Sequence, residues 1–165
     1  MKNKIKTLVY GFGNPGRQDD GIGNVMILRL ESWLKDNYIM DVDLESNYQL
    51  NIEDAEKISS YQRVIFVDAS KEEIKTCKLE KLNPAQKTIE FTMHAVSPSY
   101  LLYLCDKLFG EKPESYLLSI KGLSYHITEG LSKEASMNLD KAELFLRSVL
   151  RDSIFKKDIC HKLGV

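Results

Sequence analysis

Thr7-Leu8-Val9-Tyr10-Gly11-Phe12-Gly13-Asn14-Pro15-Gly16-Arg17-Gln18-Asp19-Asp20-Gly21-Ile22-Gly23 decides how this chain is read. Thr7–Phe12 has the apolar run of a buried strand. From Asp20 to about Asn37 the apolar residues Ile22, Val25, Met26, Leu30, Trp33 and Leu34 recur at helical spacing, with Arg29, Glu31 and Lys35 between them. A strand that turns through glycines into a helix is the opening unit of an α/β domain. The turn contains G-x-G-x-x-G, the pattern of a dinucleotide-binding loop. It also holds two adjacent carboxylates, Asp19 and Asp20, where a phosphate would be repelled.

Three features weigh against a nucleotide. The helical pattern begins only after Arg17-Gln18-Asp19-Asp20, so the third glycine does not sit at the helix start. The two carboxylates oppose a pyrophosphate. The acidic residue expected about 20 residues further on has only Glu45 as a candidate, and Glu45 lies too far along. The plain alternative is that Asp19 and Asp20 cap the helix. One cap needs one Asp, and the small residues Gly21 and Gly23 let a backbone or a substrate come close.

Outward from this unit, strands and helices alternate. Met40–Glu45 alternates apolar and acidic residues. Asn51 is placed to cap a short helix, with Asp54 three residues on. Arg63–Asp68 is a continuous apolar run ending in a carboxylate, as expected of a central strand covered on both faces. Ile74–Leu82 and Thr88–Thr92 read as short strands, the first at an edge. Ser97 and Pro98 open a helix through Leu101, Leu102, Leu104, Cys105 and Leu108. Ser115–Lys121 is a further strand. A terminal helix from Ser132 or Lys133 to about Phe155 carries Leu139, Ala142, Leu146 and Val149 on one face. The pattern predicts a single domain over residues 1–165, a three-layer α/β/α sandwich with a mostly parallel twisted sheet. The polar tail after about residue 156 is expected to be disordered.

Composition narrows the function. The 165 residues are 43% hydrophobic and 28% charged, with a net charge of −1. That balance gives no global attraction to nucleic acid. The apolar run near the N-terminus is too short for a signal-peptide core, and no segment is long enough to span a membrane. Three widely spaced cysteines, Cys77, Cys105 and Cys160, fit a reduced cytoplasmic protein. Cys105, Trp33 and Tyr100 read as packing residues, and His126 as solvent-facing. Asp158, Cys160 and His161 are poorly spaced for chelation.

Ligands in an open α/β sheet gather outside the carboxyl ends of the strands. Asp19 or Asp20, Asp68 and His94 each follow or end a strand there. If those strands are parallel neighbours, two carboxylates and an imidazole converge. That oxygen, oxygen, nitrogen set suits zinc, nickel or manganese and leaves coordination positions open.

Three elements in order resemble the hydrogenase maturation protease family, the endopeptidases that trim the C-terminal extension of nickel–iron hydrogenase large subunits. Gly11 to Gly23 matches the loop G-x-G-N-x-x-x-x-D-[DE]-[AG]-x-G. Val64-Ile65-Phe66-Val67-Asp68-Ala69 matches an apolar strand ending in Asp-Ala. His94-Ala95-Val96-Ser97-Pro98 matches a histidine before a proline-containing helix start. Lys121-Gly122 and Leu131-Ser132 are weaker matches, and the resemblance spans about Thr7 to Leu150. One departure is Glu45-Ser46-Asn47-Tyr48-Gln49-Leu50, where many members have a small glycine-rich turn.

The resemblance implies an endopeptidase of aspartyl or metallo type with Asp20, Asp68 and His94 as catalytic residues and metal ligands. It implies a divalent metal, nickel supplied with the substrate, for which zinc or cadmium would substitute in a crystal. The implied partner is a hydrogenase large-subunit precursor, met by a cytoplasmic monomer that binds neither nucleic acid nor membrane. Asp19, Asn14, Arg17 and Gln49 are candidates for orienting the ligands or touching substrate. Two other readings stand beside it: a non-catalytic nickel-binding chaperone of the same fold, and a nucleotide-binding α/β protein.

Overall fold

A computed structural model describes residues 5–86 and 96–152. Its five strands are β1 (Thr7–Phe12), β2 (Val42–Asn47), β3 (Arg63–Ser70), β4 (Cys77–Lys81) and β5 (Glu114–Lys121). They form one sheet in the order β2-β1-β3-β5-β4. The three pairings among β2, β1, β3 and β5 are parallel, and β4 joins β5 antiparallel at the edge. The helices are α1 (Ile22–Asp36), α2 (Asp54–Ser59), α3 (Pro98–Phe109) and α4 (Lys133–Asp152). The predicted strand Thr88–Thr92, the helix end near Phe155 and the tail lie outside the described residues.

The period of two along the central strands builds both layers. Val9, Ile65, Val67, Leu118 and Ile120 face one way and meet Ile22, Met26 and Leu30 of α1 and Leu139, Ala142 and Leu146 of α4. Leu8, Tyr10, Val64 and Phe66 face the other way and meet Ile58 of α2 and Leu101 and Cys105 of α3. Strand β3 is buried from Arg63 to Val67, which is why its sequence runs apolar without alternation. The three-layer α/β/α expectation therefore holds. Trp33 lies in this core with two arginines, Arg147 and Arg151, over its ring.

Two capping expectations need correction. Asp19 and Asp20 do not cap α1, whose N-cap is Gly21 with no side-chain hydrogen bond. Asn51 does not cap α2 with its side chain, which reaches back to the Gln49 carbonyl. Instead the Asp54 carboxylate accepts from the Asn51 backbone N–H at 2.8 Å and from the buried Tyr10 hydroxyl at 2.9 Å. By contrast Ser97 caps α3 as expected, accepting from the Tyr100 N–H at 3.2 Å.

The turn after β1 is tighter than a loop. Pro15–Gly21 forms a 3₁₀ segment that the apolar periodicity does not announce. Gly13 leaves β1 at φ +144°, and a Cβ there would lie 1.9 Å from the Asp20 carbonyl oxygen. Both backbone and space require glycine. Gly13→Ala is expected to destabilise by at least about 2 kcal/mol, read as a lower urea midpoint. An unchanged midpoint would mean that this turn tolerates another geometry.

Candidate metal and substrate site

Strand β1 has β2 on one side and β3 on the other. The chain leaving β1 packs α1 on one face of the sheet, while β3 leads away along the opposite half. The switch point between β1 and β3, at the carboxyl ends of the strands, is where sheets of this kind bind ligands. Asp20 comes to it from the turn after β1. Asp68 stands near the end of β3, in register with Ser119 of β5.

The 3₁₀ segment points the two adjacent aspartates in different directions. Asn14 caps it, its Oδ1 accepting from the Gly16 N–H at 2.9 Å. Arg17 and Gln18 then leave helical geometry, Gln18 at φ 51°, ψ −110°. That is strained ground for a residue with a Cβ. It is held from outside: the Gln18 N–H donates to the Thr128 carbonyl at 2.9 Å, and the Ser124 hydroxyl donates to the Gln18 side chain at 2.5 Å.

Asp19 is wholly buried. Its carboxylate accepts from the N–H groups of Leu123 (2.9 Å), Ser124 (2.8 Å) and Ser132 (2.7 Å), and from the Ser132 hydroxyl (2.8 Å). Ser132 in turn accepts from the Ala135 N–H and so caps α4. Burial would raise the Asp19 pKa, but these four donors outweigh it and hold the carboxyl below its ordinary value. Asp19 thus ties the turn after β1 to the loop after β5.

Asp20 is partly exposed, and one of its oxygens accepts from the Asn14 N–H at 2.9 Å. Asp68 is also partly exposed, and its pKa is pushed up to about 7. Burial is the main cause, the Ala69 N–H opposes it, and the charge of Asp20 adds to it. Two carboxylates therefore feel one another in a desolvated crevice. No lysine or arginine among the described residues forms an ion pair with either. A hard oxygen donor whose proton affinity is raised by burial and by a neighbouring carboxylate fits a divalent cation. Among the described residues no group of three metal-binding side chains occurs. The third predicted ligand, His94, lies outside them, as do Asp158, Cys160 and His161.

Of the remaining candidates, Asn14 joins the site through its N–H. Arg17 and Gln49 are exposed, with no hydrogen bond from either side chain to Asp20 or Asp68. His126 is exposed, as expected, and Cys105 is buried, its thiol pushed up to about 11 by burial and by Glu111 and Asp106. Sequence reasoning missed the loop of residues 122–132 as a partner of the glycine turn. Its only trace was the weak match at Gly122 and Ser132. Tyr125 of that loop was also missed: its hydroxyl is buried without a hydrogen-bond partner, and it feels the charges of Asp19, Asp20 and Asp68.

No family model matches this chain, and no curated protein matches it significantly. Solved structures do. The [NiFe] hydrogenase maturation protease HycI from Thermococcus kodakarensis superposes with a TM-score of 0.70 at 19% identity, over 91% of this chain and 95% of its own. The hydrogenase maturating endopeptidase HybD from E. coli gives 0.70 at 18%, over 90% and 94%. A hydrogenase 2 maturation peptidase from a Thaumarchaeota archaeon gives 0.63 at 24%, over 88% and 98%. This chain shares their fold over nearly its whole length.

Proposed function

We propose that this protein is a metal-recognising endopeptidase that removes the C-terminal extension of a nickel–iron hydrogenase large-subunit precursor. The observation that carries the reading is the carboxylate pair, Asp20 and Asp68, facing one crevice at the switch point with no basic partner among the described residues. The shared fold of the maturation proteases and the ordered loop, Asp-Ala strand and His94 segment support it. In this reading the nickel arrives as part of the substrate, and Asp20 and Asp68 complete its coordination together with His94.

A divalent cation there supplies Lewis acidity that polarises a peptide carbonyl. The protein's own contribution is placement. The Asn14 N–H fixes one Asp20 oxygen. The covered end of β3 keeps Asp68 desolvated, which strengthens its attraction to a cation. Asp20 also argues against a nucleotide, because its charge lies where the glycine turn would have to hold phosphates.

The test is to incubate the protein with a precursor subunit, nickel-loaded or nickel-free, and to follow the subunit's mass. The expected result is loss of a C-terminal peptide from the loaded form only. A subunit that binds but keeps its full mass would replace the peptidase with a nickel-binding chaperone. Tight binding of NAD or ATP in place of the subunit would reject both.

A further inference from the structure

An open groove of about 560 Å³ is lined by Lys71, Glu73, Lys121, Gly122, Leu123 and Tyr125. That volume is in the range of about 300–1,000 Å³ typical of ligand clefts. It starts at the carboxyl ends of β3 and β5, where the Gly122 N–H donates to the Ser70 carbonyl at 3.0 Å. Gly122 lets Tyr125 pack closely, since a Cβ there would meet the Tyr125 hydroxyl at 2.5 Å. Tyr125 lines the groove and links it to the carboxylates. Its hydroxyl lies in the field of Asp20 and Asp68, and its ring carries the Lys71 ammonium 4.4 Å from the centroid.

The two lysines differ. Lys121 is engaged: its ammonium donates to the Glu72 carbonyl at 2.6 Å and lies 3.9 Å from the Glu73 carboxylate. Lys71 is exposed and forms no ion pair with any described carboxylate. The Tyr125 face positions its charge over the groove. Exposed Leu123 adds an apolar rim.

We propose that this groove is the subsite for the peptide segment being removed, and that Lys71, seated on Tyr125, recognises a carboxylate carried by that segment. The inference rests on the peptidase reading above. Tyr125 lies in the field of Asp20 and Asp68 and carries Lys71 on its ring, so the carboxylate belongs a few residues beyond the cut. It is either an acidic side chain or the terminal α-carboxylate, and both offer the same charge to Lys71.

Steady-state cleavage of precursor subunits by wild type, Lys71→Glu, Lys71→Arg, Tyr125→Phe and Tyr125→Leu tests the subsite. Lys71→Glu is expected to raise KM about tenfold with kcat little changed. Lys71→Arg and Tyr125→Phe should keep the wild-type KM, because charge and ring survive. Tyr125→Leu should raise it. Lys35→Glu, on the far end of α1, controls for non-specific charge and should leave KM unchanged. Precursors with a neutralised acidic side chain or an amidated C-terminus tell the two carboxylate sources apart, since only one should lose the Lys71 dependence.

An unaltered KM in Lys71→Glu, beside a wild type that cuts, overturns the subsite alone. A wild type that never cuts overturns the peptidase reading. Fluorescence anisotropy with a labelled acidic peptide of the extension then decides the groove separately: binding weakened about tenfold in Lys71→Glu keeps it, and equal binding removes it.

Discussion

Asp68→Asn is expected to abolish processing and, at the same time, to stabilise the metal-free protein at neutral pH. The loss of activity follows from removing one of two charges that face the crevice. A fall of about a thousandfold in kcat/KM, about 4 kcal/mol of transition-state stabilisation, is expected with the fold intact. The gain in stability follows from the raised pKa. Asp68 titrates at about 7 in the folded chain against an ordinary value of 3.8, so the native state holds its proton where the unfolded state has lost it. Stability must then fall as pH rises through that window and stay lowered above it. Asparagine mimics the protonated acid and escapes the fall.

In chelator-treated protein the variant should gain on the order of 1–3 kcal/mol over wild type at pH 8, and the two should converge near pH 4. Thermal midpoints across this range read the difference. Nickel added to wild type should close the gap, because a bound cation favours the ionised carboxylate. Parallel pH curves would show that the Asp68 pKa is not raised in the fold. Full processing by both Asp68→Ala and His94→Ala would remove the carboxylate site from the mechanism.

Some of this was open to a reader of the sequence, and physical reasons separate it from the rest. Val64-Ile65-Phe66-Val67 is apolar without a break because helices cover both faces of β3, and such a run has few other meanings. Helix α1 was legible from its stripe of Met26, Leu30, Trp33 and Leu34. Asp20 and Asp68 were placed at one end of the sheet because a parallel strand puts its following loop there. The 3₁₀ segment was not legible. It depends on Gln18 holding a backbone conformation that local preference assigns to glycine, and nothing near Gln18 in the chain supplies the compensation. The compensating partners, Ser124 and Thr128, lie more than 100 residues away. Lys71 and Tyr125 were silent for the same reason: their contact joins two loops that only the β3–β5 pairing brings together.

That separation makes Asp19 the best test of how the site is held. Asp19→Ala is expected to destabilise the protein by roughly 3–5 kcal/mol. It removes four hydrogen bonds to a buried charge and strands the N–H groups of Leu123, Ser124 and Ser132. Asp19→Asn should cost nearly as much, because its amide NH₂ is a donor set among donors. The pH dependence runs opposite to that of Asp68. The folded pKa of Asp19 lies below the ordinary 3.8, so its stabilisation is fully present above that value and is lost as pH falls through the lower folded one. Wild type should therefore lose stability faster than Asp19→Asn below about pH 4. Urea unfolding at pH 7 and pH 3 measures both effects. A cost below about 0.5 kcal/mol at pH 7, within the range of ordinary surface substitutions, would reject the tie between the turn after β1 and the loop after β5. A large cost with an unchanged kcat in the surviving folded fraction would show that Asp19 holds the scaffold and leaves the chemistry to its neighbour, Asp20.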